Sequence, residues 1–234
     1  QEHFRNLAAA ASLENAYTGD LIPAFQELYD YITVEGAYDS SGKLQTQIEE
    51  GLAADIFVSA ADKQMNALVE SEHIQAASVV ALLENKVVLI EPAAAPSGIA
   101  SFEQAAEFDG DIAIGDPASV PAGQYAEEIF TNLGVWDQVL AKASLGTNVT
   151  EVLSWVAAGS AGLGVVYATD AASKAGEVTV IAEAPAGSMA KPVTYPLGIL
   201  ARSEQEEAAQ LFYEFLRSDE AAAIFENYSF TALR

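Results

Sequence analysis

The chain has 234 residues, 34 acidic side chains against 10 basic ones for a formal net charge of −24, and no cysteine. That charge repels nucleic acid and anionic lipid, and the missing thiols exclude disulfides, thiolate metal sites and cysteine nucleophiles. With 51% hydrophobic residues the chain can bury one large core or two smaller ones. No apolar run approaches bilayer-spanning length and no basic, apolar leader precedes the first strand, so a soluble chain is expected.

Short apolar runs, often β-branched, alternate along the chain with longer stretches of helical period. NLAAAA (6–11) reads as the first strand, followed by ASLEN. There Ser12 either caps a helix with its hydroxyl or marks backbone left open to a small anion. Gly19 and Pro23 interrupt the helix behind it. A strand is expected in DYITVEGAY (30–38), then Ser40 and Ser41, then a helix over 43–50 with Leu44 and Ile48 on one face and Gly51 as its stop. Strands follow in DIFVSA (55–60) and KVVLIEP (86–92), with a helix over 62–70 between them. Proline-rich EPAAAPSGIASFE (91–103) requires an extended or turning backbone, and Ser101 opens a new helical turn. After the strand GDIAIGD (110–116), Pro121 suits the first turn of a helix over 122–133, and Asn148 suits the cap of one over 149–158. GLGVVYA (162–168), VTVIAE (178–183) and TYPLGILA (194–201) complete the strands, a second proline-rich stretch, APAGSMAKPVTYPLG, leading into the last. A helix over 204–217 carries an apolar stripe of Ala208, Leu211, Phe212 and Phe215.

The alternation predicts an α/β fold with mainly parallel sheet. If the two proline-rich stretches mark crossings between lobes, the first lobe is discontinuous in sequence. In open α/β sheets ligands gather at the carboxyl ends of strands. Four helix starts, at Ser12, at Ser40 and Ser41, around Ala122, and at Asn148 and Val149, share one pattern of strand or turn, small or polar residues, then amphipathic helix. Several helix N-termini facing one crevice would bind an anion without a cationic side chain. Enzyme chemistry is poorly supplied. A serine nucleophile needs a base, and the only histidines are His3 and His73. No Walker loop, GxGxxG or zinc-ligand cluster is present, and carboxylate pairs such as Glu49 with Glu50 carry no signal.

AAASLENAY, YDSSGKLQTQIEEGLAADIFVSA, GDPASVPAGQYAEE, NVTEVLSWVAAGSAGLGVVYATDA and EAAAIFENYSF occur in that order over nearly the whole chain. Together they resemble the periplasmic molybdate-binding proteins of ABC transporters, the ModA-like family. The resemblance implies the two-lobed type II periplasmic-binding-protein fold, with a tetrahedral oxyanion in the cleft and no catalysis. Lobe one would be 1–84 plus 197–234, lobe two 85–196. Carried over by position, the ligand contacts fall on Ser12 and Ser41, each offering hydroxyl and backbone N–H, on Ala122 and Val149 through N–H alone, and on the phenol of Tyr167. Ser40 is a turn neighbour that a one-residue slip would exchange with Ser41. Tyr167 ends an apolar strand and, read by itself, is equally a core tyrosine.

The ligand implied is molybdate and also tungstate, with molybdenum held through its oxygens, no directly bound metal and no cofactor. The partners implied are the oxyanion and the membrane permease subunits of an ABC transporter. The chain would act as a monomer, without nucleic acid, in the periplasm or anchored outside the membrane. Neutral donors require a fully ionised anion, which disfavours partly protonated phosphate. The alternatives are a sulfate-type or other oxyanion carrier, a serine-dependent esterase using Ser12 or Ser41, and a regulator's effector domain, for which no DNA-binding segment is present.

Overall fold

In the computed structural model, which describes residues 6–203 and 206–233, contacts divide the chain into two compact units. One comprises 1–84 with 194–234, the other 85–193. The return crossing falls at 193/194, within the strand expected there, against 197 in the sequence reading. The stretch 91–103 lies wholly inside the second unit and is no crossing. Its backbone folds on itself instead, because the Glu91 carboxylate accepts both the N–H and the hydroxyl of Ser97 at 2.7 Å.

The chain begins with β1 (Leu7–Ala10), a 3-10 turn over Ala11–Leu13, α1 (Glu14–Ala16), a π-helical turn over Tyr17–Leu21 and α2 (Ile22–Leu28). Gly19 and Pro23 do interrupt the helix, and the interruption is one widened turn in which the Ile22 N–H reaches back to the Tyr17 carbonyl. Then come β2 (Gly36–Asp39), α3 (Ser41–Glu49), β3 (Ile56–Val58), α4 (Asp62–Glu70) and β4 (Val80–Asn85). The next elements are β5 (Val87–Pro92), β6 (Ile112–Gly115), α5 (Pro121–Asn132), α6 (Trp136–Leu140), β7 (Ala143–Gly146), α7 (Val149–Ala157), β8 (Leu163–Tyr167), α8 (Ala168–Ser173) and β9 (Val178–Glu183). β10 (Val193–Ile199), α9 (Glu206–Leu216), α10 (Asp219–Asn227) and β11 (Thr231–Ala232) return to the first unit.

Each unit is built on one mixed sheet, ordered β11-β4-β10-β3-β1-β2 in the first and β7-β6-β8-β5-β9 in the second. In the first, β1 lies parallel to both β2 and β3, while β10 runs antiparallel to β3. In the second, β6 lies parallel to β7 and β8, while β5 runs antiparallel to β8 and β9. The sheets are therefore less parallel than the alternation predicts. The strands at the two crossings between the units, β5, one residue after β4, and β10, enter against the direction of the strand–helix–strand repeats.

Cores follow from the sequence pattern. β1, β3 and β6 are buried along their whole length, as strands covered on both faces must be. Beneath the first sheet Leu44 and Ile48 of α3 pack with Phe57, Met65 and Leu68. Phe25, Phe212 and Phe215 form an aromatic cluster with centroid separations from 4.9 to 6.5 Å. Removing such a ring costs about 3 to 5 kcal/mol. In the second unit Phe102 and Phe130 meet at 5.6 Å within the core.

Candidate functional site

β1, β2 and β3 run the same way, so the segments following them emerge at one edge of the first sheet. Ser12 follows β1 directly. It caps nothing: neither the 3-10 turn nor α1 has a side-chain cap, and Ser12 Oγ lies 2.8 Å from the phenolic oxygen of Tyr195 on β10. The residues before it are alanines, buried at positions 8 to 11, which keep side-chain bulk away from the turn.

After β2, the two adjacent serines divide the work. Ser40 is the N-cap of α3, its Oγ accepting the Lys43 N–H at 3.3 Å, while its own N–H donates to Asp39 Oδ1 at 2.8 Å. Ser41 is the first helical residue and is completely buried. Its Oγ accepts the N–H of Ala60, just beyond β3, at 3.0 Å. A hydroxyl bound in this way still has its hydrogen to give. The nearby cation, Lys43, has its ammonium 4.0 Å from Asp39.

The second unit repeats the layout with β6, β7 and β8. Beyond β6 the chain turns through Asp116–Val120 into α5, where Pro121 is the first residue and buried Ala122 the second. Val120 supplies no side-chain cap. The helix start sits hard against the strand end, because a Cβ on Gly123 would overlap the Gly115 carbonyl and one on Gly115 would overlap Val120. Two glycines so placed are required by close approach. Beyond β7, Asn148 caps α7, its Oδ1 accepting the Glu151 N–H at 2.9 Å while the Glu151 carboxylate accepts the Thr147 N–H at 3.1 Å. Buried Val149 is the first residue of that helix.

Tyr167 ends β8, fully buried, with its ring edge-on to Tyr125 at 6.4 Å. Its backbone N–H is taken by Asp170 Oδ2 at 3.0 Å, so the group it can offer a ligand is the phenol. Burial pushes the Asp170 carboxyl up to about 7, against the stabilising Tyr167 N–H bond.

The structure thus brings Ser12 and Ser41 to one edge of the first sheet, and Ala122, Val149 and Tyr167 to the corresponding edge of the second. Tyr195, Ala60 and Asp170 were not singled out by sequence. Tyr195 and Ala60 act through a pairing of β3 with β10 that spans more than a hundred residues of chain. Asp170, three residues after Tyr167, carried a readable capping spacing. Neither serine touches a base: among the described residues His73 is bonded through Nδ1 to Ser71 at 2.8 Å, and His3 lies outside them. No described group of three or more His, Asp or Glu side chains could hold a metal ion, and no described helix is long and apolar enough to cross a membrane.

Residues 6–231 match the family described as bacterial extracellular solute-binding protein. The chain is 41% identical to the "Putative ABC transporter substrate-binding lipoprotein YvgL" of Bacillus subtilis over 97% of its length and 85% of that protein. It is 35% identical to the molybdate-binding protein ModA of Escherichia coli, over 95% of the chain and 87% of the relative. The Azotobacter vinelandii periplasmic molybdate-binding protein superposes with a TM-score of 0.84 at 22% identity, covering 98% of this chain and 99% of that one, so the type II periplasmic-binding-protein fold is shared. The family is one of solute-binding transport proteins, and the two serines are bonded to a phenol and a backbone amide. A family match over nearly every described residue, a relative above 40% identity and parallel strands that end in helix starts lead to one assignment: the chain belongs to the bacterial extracellular solute-binding proteins.

Proposed function

We propose that the protein captures molybdate, and also tungstate, outside the cytoplasmic membrane and delivers it to the permease of an ABC transporter. Ser12, Ser41, Ala122, Val149 and Tyr167 would hold the anion, the serines by hydroxyl and backbone N–H, Ala122 and Val149 by backbone N–H, and Tyr167 by its phenol. The protein would work as a monomer with no cofactor, and molybdenum would be reached only through its oxygens. The two lobes would correspond to the two compact units.

The observation that carries this reading is the chemistry of the donors. Helix starts at Ser41, Ala122 and Val149 supply first-turn N–H groups and the positive ends of helices of 9, 12 and 9 residues. Ser41 Oγ already accepts from the protein. Such donors suit an anion with no proton of its own, and they need no cation to bind it. The molybdate-binding relatives support the choice among oxyanions.

Native mass spectrometry with elemental analysis, after incubation with molybdate, tungstate or sulfate, tests it. One molybdate or tungstate per chain is expected. A sulfate adduct in the absence of a molybdate adduct would make this a sulfate-type carrier, and no oxyanion adduct would remove the reading.

A further inference from the structure

Tyr195 is completely buried on β10, and its ring is held edge-on by Phe230 at 5.6 Å and 80°. Its phenolic oxygen lies 2.8 Å from Ser12 Oγ. Nothing in the local sequence around Ser12 requires this partner, which is 183 residues away. It arrives there through the antiparallel pairing of β10 with β3, in which Leu197 faces Val58 and Gly198 faces Phe57. The Ser59 N–H donating to the Pro196 carbonyl at 3.1 Å carries that pairing one step further, so Tyr195 and Ala60 come next in register. Ala60 is the residue whose N–H donates to Ser41 Oγ. Two residues in register just beyond the β3–β10 pairing therefore supply a partner to each of the two serines.

We infer that Tyr195 is a specificity-determining positioning residue, whose phenol donates to Ser12 Oγ so that the single hydrogen of the serine is left for the oxyanion. A hydroxyl has one hydrogen and two acceptor lone pairs, and it rotates to suit its surroundings. Held by a donor, Ser12 is set to give, as Ser41 is set by the Ala60 N–H. An anion that retains a proton, such as hydrogen phosphate, meets two hydroxyls already oriented as donors. Loss of the phenol would free Ser12 to rotate and accept the proton of such a ligand. A buried site discriminates strongly when its polar groups are left mismatched.

The inference rests on the molybdate reading above, and a double-mutant cycle separates the two. Molybdate is titrated calorimetrically into wild type, Tyr195→Phe, Ser12→Ala and the double variant, and phosphate is then tested as a competitor in mildly acidic buffer, where it retains protons. Phenylalanine keeps the ring that packs edge-on against Phe230 and removes only the phenolic oxygen. Tyr195→Phe is expected to weaken molybdate about five- to tenfold in the wild-type background and less than about twofold once Ser12 is alanine. Phosphate is expected to displace molybdate from Tyr195→Phe and not from wild type. Wild-type affinity in Tyr195→Phe, an equal loss in both backgrounds, or no displacement by phosphate in the variant overturns the inference. A wild-type protein that gives no heat with molybdate removes the molybdate reading and this inference with it.

Discussion

The two units place their candidate ligand groups by the same device and equip them differently. In each, a central strand lies parallel to a neighbour on either side, β1 between β2 and β3, and β6 between β7 and β8. Candidate residues sit at or beyond the strand ends: Ser12 and Ser41 after β1 and β2, Ala122 and Val149 after β6 and β7, and Tyr167 as the last residue of β8. In the proposed site the first unit would rely on the hydroxyls of Ser12 and Ser41, each bonded to a distant partner, Tyr195 and Ala60. The second would rely on backbone N–H groups at helix starts and on a phenol anchored through its own backbone to Asp170. A hydroxyl can be deleted with one substitution, whereas a backbone donor can only be moved. The first unit is thus open to mutation at the ligand groups themselves, and the second at the residues that position them.

The largest expected effect concerns Asp170. Its carboxyl is raised by burial from 3.8 to about 7, so the folded protein retains a proton that the unfolded chain has lost. The stability this supplies is fully present below the unfolded value and lost as pH rises through about 7. Relative to Asp170→Asn, wild type should lose about 1.4 kcal/mol for each pH unit across that interval. Denaturant unfolding of both proteins across this range measures it, and parallel pH profiles would show that Asp170 does not hold its proton.

The next effect tests how tightly α5 is seated. Gly123→Ala drives a Cβ into the Gly115 carbonyl, a backbone atom with little freedom to retreat. A loss of about 3 kcal/mol in unfolding free energy is expected, together with displacement of the Ala122 N–H and weaker molybdate binding. An unchanged denaturation midpoint would mean that strand end and helix start can separate without cost. Asn148→Ala is milder: loss of the α7 cap should cost about 1 kcal/mol of stability by the same measurement, and Asn148→Ser should restore most of it.

Much of this plan was legible in the sequence because it is local. Asn148 before an apolar-periodic run and Pro121 at the head of PAGQYAEE announce helix starts, and the structure has Asn148 as the cap of α7 and Pro121 in the first turn of α5. VTVIAE is a strand over its full predicted length. What escaped is short or nonlocal. DYITVEGAY shrinks to a strand over Gly36–Asp39, since Ile32 and Val34 reach burial before regular pairing begins. β4, half-exposed at Val80 and Ala81, and the four-residue β7 carry too little alternation to stand out. Of the two readings that the local sequence left open for Ser12, the cap is absent, and its hydroxyl partner Tyr195 is brought by strand order, which no local pattern encodes. Tyr17 differs: its hydroxyl is buried without a hydrogen-bond partner among the described residues, and burial together with Tyr38 pushes its phenol upward.

The smallest expected effect distinguishes the surface from the ligand groups. A chain of charge −24 repels an approaching dianion, and salt screens that repulsion over a Debye length of about 10 Å at moderate ionic strength. Association with molybdate should therefore quicken severalfold as sodium chloride is added, with little change in dissociation. Stopped-flow measurement that found association slowing with salt would point to a cation such as Lys43 at the ligand.

The most direct test is calorimetric titration of molybdate into Ser12→Ala and Ser41→Ala beside wild type. Each hydroxyl gives a charge-assisted hydrogen bond in this account, so each variant should bind more weakly by about 1.5 to 3 kcal/mol. Ser41→Ala should also lose stability, because it removes the acceptor of the Ala60 N–H. Wild-type affinity for molybdate in both variants would contradict the assignment of these serines to the oxyanion.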